Sequence, residues 1–112
     1  MSDYLIKCRE NYFKKITPSN KKSKDTEDYK DLLLIAKNTI DNIGIDKFSE
    51  YFQDGYYLVN LWTAHIIIEY YNPSKELEKK CLEIIKDHLD NPLAPLVAVE
   101  EKTWLEDNID KY

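Results

Sequence analysis

The hydrophobic pattern of the chain is dominated by a stretch between Gly55 and Glu69 that is apolar almost throughout. Apolar side chains fill positions 56–59, 61, 62, 64 and 66–68, which leaves hardly any polar face. A helix that is hydrophobic all round lies inside a protein and is covered on several sides. The sequence therefore predicts a buried helix over residues 56–71, which ends before Pro73 and around which the rest of the chain packs.

Five other segments have apolar residues at the spacing of three and four that is typical of amphipathic helices. They cover residues 2–16, 26–42, 46–52, 74–89 and 96–110. Ordinary start and stop signals bound them, namely candidate caps at Ser2 or Asp3 and at Ser74, and breaks at Pro18, Gly44, Pro92 and Pro95. No segment alternates as a strand does. The sequence predicts an all-α fold, a compact stack of five or six helices forming one domain over residues 1–112.

The same periodicity predicts which side of each helix faces the core. On the first helix the inward stripe is Leu5, Cys8, Tyr12 and Ile16. On the helix after Ser74 it is Leu77, Cys81, Ile84, Ile85 and Leu89, with His88 on the charged side. On the last helix it is Ala98, Leu105 and Ile109, with Trp104 at the edge of the core. Cys8 and Cys81 are expected to be buried free thiols.

The composition excludes several classes of protein. Of the 112 residues, 43% are hydrophobic and 33% charged, and the net charge of −5 argues against a general nucleic-acid binder. Two cysteines are too few for a secreted disulfide scaffold. The N-terminus lacks the apolar core of a signal peptide, and no apolar run reaches the roughly 18 residues that span a bilayer. We therefore expect a cytoplasmic location, with neither nucleic acid nor membrane as a partner.

Residues 48–70, FSEYFQDGYYLVNLWTAHIIIEY, resemble the core of a HEAT-type repeat. The resemblance consists of a hydrophobic first helix, Asp54 in the turn, Val59 early in the second helix, and then Trp62 and Ala64 before more aliphatic residues. With Thr103-Trp104-Leu105 in its last helix, the chain is similar over residues 28–108 to small bacterial HEAT-like proteins of unknown function, which are thought to include immunity-type proteins. It departs from the pattern at Asn60, where HEAT units often carry a basic residue.

Candidate chemistry is concentrated on one stripe of the buried helix, formed by Leu58, Trp62, His65 and Glu69. His65 and Glu69 are four residues apart and therefore share a face. They could form an acid/base pair or half of a metal site, or His65 could simply bond Glu69 at the edge of the core. A metal site needs three or four ligands, and the HExxH spacing is absent.

Tyrosine is the residue type in clearest excess, with nine in the chain. Tyr56, Tyr57, Tyr70 and Tyr71 bracket the buried helix at both ends. Buried tyrosines at the margins of the core explain most of this pattern. The alternative is a contact surface, because tyrosine and tryptophan are enriched in well-packed protein interfaces.

Charges are unevenly distributed along the chain. Residues 11–24 are basic and free of acids, with Lys14, Lys15, Lys21, Lys22 and Lys24, and are expected to form a solvated loop flank. The C-terminal segment is acidic, with Glu100, Glu101, Glu106, Asp107 and Asp110. An acidic face can steer a protein toward a basic partner, although it is also ordinary for a soluble helix.

Catalysis has little support in the sequence. No phosphate-binding loop, nucleophile elbow or CxxC motif is present. Cys81 and His88 lie about 10 Å apart along one helix, too far to hydrogen-bond. The sequence therefore predicts a protein that is not an enzyme and needs no cofactor.

The preferred hypothesis is a protein-binding module, in the form of an immunity protein that inhibits a basic toxin domain. Its candidate contact residues are Asp54, Tyr56, Tyr57, Trp62, His65, Glu69 and Tyr70. Two alternatives stay open. One is a small-molecule or metal-binding protein with a pocket near Trp62, His65, Glu69 and Asp54, and the other is a structural subunit of a larger complex.

Overall fold

The structure, a computed structural model, describes residues 2–91 and 94–112 and contains six α-helices. They are α1 (Asp3–Phe13), α2 (Glu27–Ile43), α3 (Ile45–Phe48), α4 (Val59–Tyr70), α5 (Lys75–Asp87) and α6 (Pro95–Asn108). Short 3-10 segments cover Ser23–Asp25, Ser49–Gln53, Tyr56–Leu58 and Ile109–Lys111. No strand occurs in the described part of the chain, so the predicted all-α class is confirmed. The break predicted at Pro92 lies outside the described residues.

The starts of three helices are fixed by hydroxyl caps. Ser2, Thr26 and Ser74 accept hydrogen bonds from the backbone N–H groups of Leu5, Tyr29 and Leu77 at 3.3, 3.1 and 3.2 Å. Each cap occupies a donor that the first helical turn would otherwise leave without a partner. Gly44, with φ +85°, ends α2 in the left-handed region that favours glycine.

Helix α4 is the centre of the molecule, as its apolar pattern predicts. Every residue from 61 to 68 is buried, including Thr63 and His65. The helix packs against α5 and against the segment Ser49–Gln53. The Tyr4 hydroxyl of α1 forms a hydrogen bond of 2.9 Å with Thr63 Oγ1 of α4. Helices α1 and α2 lie side by side and antiparallel, with Lys7, Asn11 and Lys14 all bonded to Asp28.

Helix α4 begins three residues later than the sequence predicts. Tyr57 and Leu58 both have left-handed backbone angles, with φ +53° and +59°. The preceding turn is organised by Asp54, whose side chain accepts the Tyr56 N–H at 3.0 Å and whose carbonyl accepts the Asn60 N–H at 2.9 Å. Left-handed geometry costs a residue other than glycine about 1–2 kcal/mol, so the surrounding contacts must hold it. As a result Tyr56 points outward and Leu58 inward.

Helix α1 ends at Phe13 rather than at Ile16. Lys15 adopts φ +62°, and the Ile16 N–H bonds the Asn11 carbonyl at 2.9 Å instead of continuing the helix. The predicted inward stripe holds for Cys8, which is buried, and for Leu5 and Ile16, which pack against the core, but not for Tyr12, which is exposed.

The inward face predicted for the last helix is only partly correct: Leu105 packs against the core and Ala98 is half-buried, but neither is the most buried position of the helix. The buried residues of α6 are Val97, Glu101 and Trp104, whereas Ile109 is exposed. Trp104 is therefore not at the edge, and Glu101 does not belong to an acidic outer face. His88, predicted on the charged side of α5, is also buried. Glu101 and His88 are buried beside hydrogen-bonding partners, His65 and Asn60 respectively. Hydrophobic periodicity alone does not predict such contacts.

Cys8 and Cys81 are buried free thiols, as expected. Burial raises the pKa of both thiols to about 12, so neither is poised for thiolate chemistry. Among the helices of the described residues, none combines the length and apolar character that a bilayer crossing requires.

Candidate functional site

The most concentrated chemistry in the molecule surrounds the buried ring of His65. Its Nδ1 bonds Glu69 Oε2 at 2.8 Å, one turn along the same helix. Its Nε2 bonds Glu101 Oε1 from α6, and Ser19 Oγ lies 3.0 Å from the same nitrogen. Trp104 packs edge-on against the ring with a centroid distance of 4.7 Å. One imidazole therefore joins α4, α6 and the loop that follows α1.

The contacts of His65 extend outward to the surface. Glu69 Oε1 bonds Lys24 Nζ at 2.9 Å, so Glu101, His65, Glu69 and Lys24 form a row of alternating charges that we call the polar chain. Glu101, at its inner end, is fully buried, and its Oε2 has no hydrogen-bond partner among the described residues. A buried carboxylate without a counterion would be very unfavourable, so the Glu101–His65 pair ties α6 to the core.

The two carboxylates set the protonation of His65. Burial lowers its pKa, but the hydrogen bonds to Glu101 and Glu69 act in the opposite direction, and the pKa is raised overall. Burial likewise raises the pKa of Glu69, which hydrogen bonds from His65 and Lys24 outweigh, so that pKa is lowered overall. We infer an imidazolium that donates one N–H to each carboxylate.

Ser19, His65 and Glu69 share the atom order of a serine–histidine–acid triad. A triad requires Nε2 to accept the serine proton, but here Glu101 competes for that nitrogen. When His65 is an imidazolium, Nε2 carries a proton and has no lone pair for Ser19. In this protonation state the group positions helices and does not act as a general base.

A small polar recess of about 260 Å³ opens above the outer end of the polar chain. Its walls include Ser19, Lys24, Glu69, Trp104 and Asp107. Trp62, His65 and Asp54, which the sequence placed in a common pocket with Glu69, do not line it. Among residues 2–91 and 94–112, no three His, Cys, Asp or Glu side chains are arranged to hold a metal ion.

A second feature lies on the outside, where the end of α1 meets the turn before α4. Tyr12, Phe13, Tyr56 and Tyr57 form a continuous set of ring contacts that we call the aromatic surface, with centroid distances of 5.5 to 6.4 Å. Arg9 lies over the Tyr57 ring at 5.8 Å. The exposed fractions are 47% for Tyr12, 66% for Phe13 and 79% for Tyr56. The left-handed residues Tyr57 and Leu58 turn the chain so that Tyr56 projects from this surface.

The residues that the sequence singled out are therefore divided between several places. Trp62 and His65 are buried and cannot contact a partner directly, which corrects their assignment as contact residues. Tyr56 and Tyr57 belong to the aromatic surface. Tyr70 is half exposed at the far end of α4, where its hydroxyl bonds that of Tyr29 at 2.9 Å. The predicted His65–Glu69 contact is present.

The sequence did not identify three residues of the site, namely Ser19, Lys24 and Glu101. Glu101 carried a usable signal, because it stands four residues after Val97 and three before Trp104, where a helix has its buried stripe. Ser19 and Lys24 carried none. They lie in an irregular loop whose path no local pattern predicts.

The chain was compared with models of protein families, with curated proteins and with solved structures, and none of the three comparisons found a significant match. The fold and the site therefore have to be interpreted from the residues and contacts of this chain alone.

The Glu101–His65 contact makes a direct prediction about stability. Glu101→Gln keeps the size of the side chain but removes one of the two counterions of the buried imidazolium. We expect the free energy of unfolding to fall by about 3 kcal/mol, as when one partner of a buried ion pair is lost. Urea unfolding followed by circular dichroism measures the change. Glu106→Gln, at an exposed position of α6, is the matched control and should cost less than about 0.5 kcal/mol. Equal stability of the two variants would contradict a structural role for Glu101.

The polar chain also predicts how stability varies with pH. Because the pKa of folded His65 is raised, its contribution is complete below its ordinary value of 6.5 and is lost as the pH rises through the folded pKa. Because the pKa of Glu69 is lowered, its contribution is present above 4.5 and is lost as the pH falls through the folded pKa. Burial lowers the pKa of His88, so its own contribution is lost only below 6.5. A loss of stability as the pH rises above 6.5 is therefore due to His65 and not to His88.

Urea unfolding between pH 6.5 and about 7.5, one unit below the ordinary thiol pKa of about 8.5, isolates this decline from the ionisation of the unfolded cysteines. The wild-type protein should lose stability across the interval, and His65→Gln should show a flat profile. A decline of the same size in both proteins would show that another group is responsible.

Proposed function

We propose that the protein is a non-enzymatic protein-binding module whose partner contacts the aromatic surface. The observation that carries the proposal is the exposure of Phe13 and Tyr56 beside the half-buried Tyr57. Large apolar side chains that cluster at the surface of a soluble domain mark interaction sites more often than isolated ones do.

The chemistry of the aromatic surface suits a protein partner. Tyrosine and arginine are enriched among the residues that contribute most to binding between proteins, and here Tyr12 and Arg9 both contact Tyr57. These rings hold one another in place before binding. Little side-chain freedom is then lost when a partner packs onto them.

The identity of the partner rests on charge and on resemblance. The net charge of −5 favours a basic protein. The resemblance to HEAT-like immunity-type proteins suggests a toxin domain, which the protein would inhibit by occlusion in the cytoplasm. The side-by-side packing of α1 with α2 and of α4 with α5 supports a HEAT-like arrangement of helical hairpins.

A small-molecule or catalytic role has weaker support. The recess above Glu69 is polar and small, and two of its three lysines, Lys21 and Lys24, are already paired with Asp107 and Glu69. His65 lies beneath it with both ring nitrogens hydrogen-bonded. The aromatic surface, in contrast, has no evident structural purpose within the described part of the chain.

Affinity capture with paired variants tests the proposal. The tagged wild-type protein and a Phe13→Ser, Tyr56→Ser double variant are exposed to lysate of the source cells, and bound proteins are quantified by mass spectrometry. We expect one partner in near-stoichiometric amount on the wild type. The double variant should retain at least about tenfold less, because two interface anchors together contribute more than about 1.4 kcal/mol.

The matched control is Leu96→Ser, because Leu96 is as exposed as Tyr56 but lies on α6, outside the aromatic surface. It should retain the partner fully, and circular dichroism should show all variants folded. If the double variant captured the partner as well as the wild type, the aromatic surface would not be the contact. For the immunity role, the captured protein should arrest growth when expressed alone and not when expressed together with this chain.

A further inference from the structure

A second unpartnered surface runs along the line where α1 and α2 meet. It is an open groove of about 360 Å³ that we call the α1–α2 groove. Its lining is shared between the two helices and consists of Asp3, Ile6, Lys7, Glu10, Asp31, Leu34 and Ile35. It shares no lining residue with the recess above the polar chain.

The floor of the groove is aliphatic and accessible. Ile6 is 42% exposed and Leu34 is 58% exposed, while Ile35 is half-buried between them and the core. Aliphatic side chains from two neighbouring helices, both projecting toward solvent, form a surface that a third apolar side chain can cover. Their burial would contribute about 25 cal/mol for each Å² removed from water.

The rim of the groove is acidic. Three carboxylates, those of Asp3, Glu10 and Asp31, face a single ammonium group, that of Lys7, which leaves a surplus of two negative charges. Lys7 is not available to neutralise Asp3 or Asp31, because its Nζ already bonds Asp28 at 2.9 Å and Glu10 at 3.3 Å. Asp3 and Asp31 make no ion pair with any residue in the described ranges.

The acids and the aliphatic residues are arranged in helical register. Asp3 and Glu10 lie one turn before and one turn after Ile6 on α1, and Asp31 lies one turn before Leu34 on α2. A ligand whose apolar side chain enters between Ile6 and Leu34 would therefore carry cationic side chains to acids on both helices. α1 is about 16 Å long, which matches three turns of a bound helix.

We propose that the α1–α2 groove binds a positively charged amphipathic helix of the protein partner, with an aliphatic anchor over Ile6 and Leu34 and Lys or Arg side chains paired with Asp3 and Asp31. The proposal rests on the proposed function and specifies its partner. Laying the apolar face of a helix into an apolar groove is a common mode of recognition. The negative rim repels nucleic acid and anionic lipid, which leaves a basic polypeptide as the matching occupant.

The groove is continuous with the aromatic surface. Ile6 and Glu10 also line the neighbouring depression, together with Arg9, Phe13 and Lys14. The outer face of α1 therefore offers an acid-rimmed aliphatic half and an aromatic half. One partner can occupy both.

The probe is a phage-displayed library of random peptides of about 16 residues, long enough for four helical turns. Selection against the immobilised wild-type protein should enrich peptides with Leu or Ile at helical spacing and flanking Lys or Arg. The strongest peptide is then synthesised, and its affinity is measured by fluorescence anisotropy at about 50 and 200 mM salt.

Two variants and two controls locate the binding. Leu34→Ser should lower the affinity for the peptide at least about tenfold, whereas Leu96→Ser should leave the affinity unchanged. The double variant Asp3→Asn, Asp31→Asn should weaken it about fivefold at low salt and reduce the salt dependence. Asp87→Asn with Asp110→Asn removes the same charge elsewhere and should have little effect. All four proteins are first shown to be folded by circular dichroism.

Three results would overturn the proposal. They are the enrichment of acidic peptides or of none, binding that ignores Leu34→Ser, and a self-association seen by sedimentation velocity that Leu34→Ser abolishes. The last would identify a second copy of this chain as the occupant. If partner capture still depended on Phe13 and Tyr56 in any of these cases, the groove assignment would fail while the protein-binding function stood.

Discussion

The fold depends on a buried imidazolium that must keep two carboxylates close to it. His65 and Glu69 come from the central helix, whereas Glu101 comes from the last helix and Lys24 from the loop before α2. None of the inner charges could remain in the core alone, because an isolated buried charge is strongly destabilising. The arrangement therefore couples three distant segments, and α6 is placed by its polar residues as much as by its apolar ones.

This constraint also indicates where function should be sought. The side chains that look most reactive, His65 and Glu69 beside Ser19, are occupied in holding helices together. The outer faces of α1 and α2 have the opposite character, since Phe13 and Leu34 project to solvent without an evident contribution to the fold. Burial of polar groups inside and exposure of apolar groups outside together favour a scaffold that presents a binding surface.

Much of the architecture could be predicted from the sequence, because α4 is apolar all round and because hydroxyl caps and prolines bound the helices. The His65–Glu69 contact was also predictable, since it lies within one helical turn. The Glu101–His65 contact was not predictable, because it joins residues 36 positions apart, although the spacing of Glu101 from Val97 and Trp104 indicated that Glu101 is buried. The left-handed pair Tyr57 and Leu58 was equally hidden, since neither residue type signals that geometry.

The central claim is that His65 is a charged structural residue held by two carboxylates, and nitrogen NMR of its ring tests this most directly. With selective labelling, the ring nitrogens are followed from about pH 5 to 9, a range that brackets the ordinary histidine pKa. We expect both nitrogens to be predominantly protonated at pH 6.5 and the midpoint of the ring titration to lie above 6.5, and we expect Glu101→Gln to lower that midpoint. A ring that is already neutral at pH 6.5, with Nε2 free to accept the Ser19 proton, would contradict the account and reopen a catalytic interpretation.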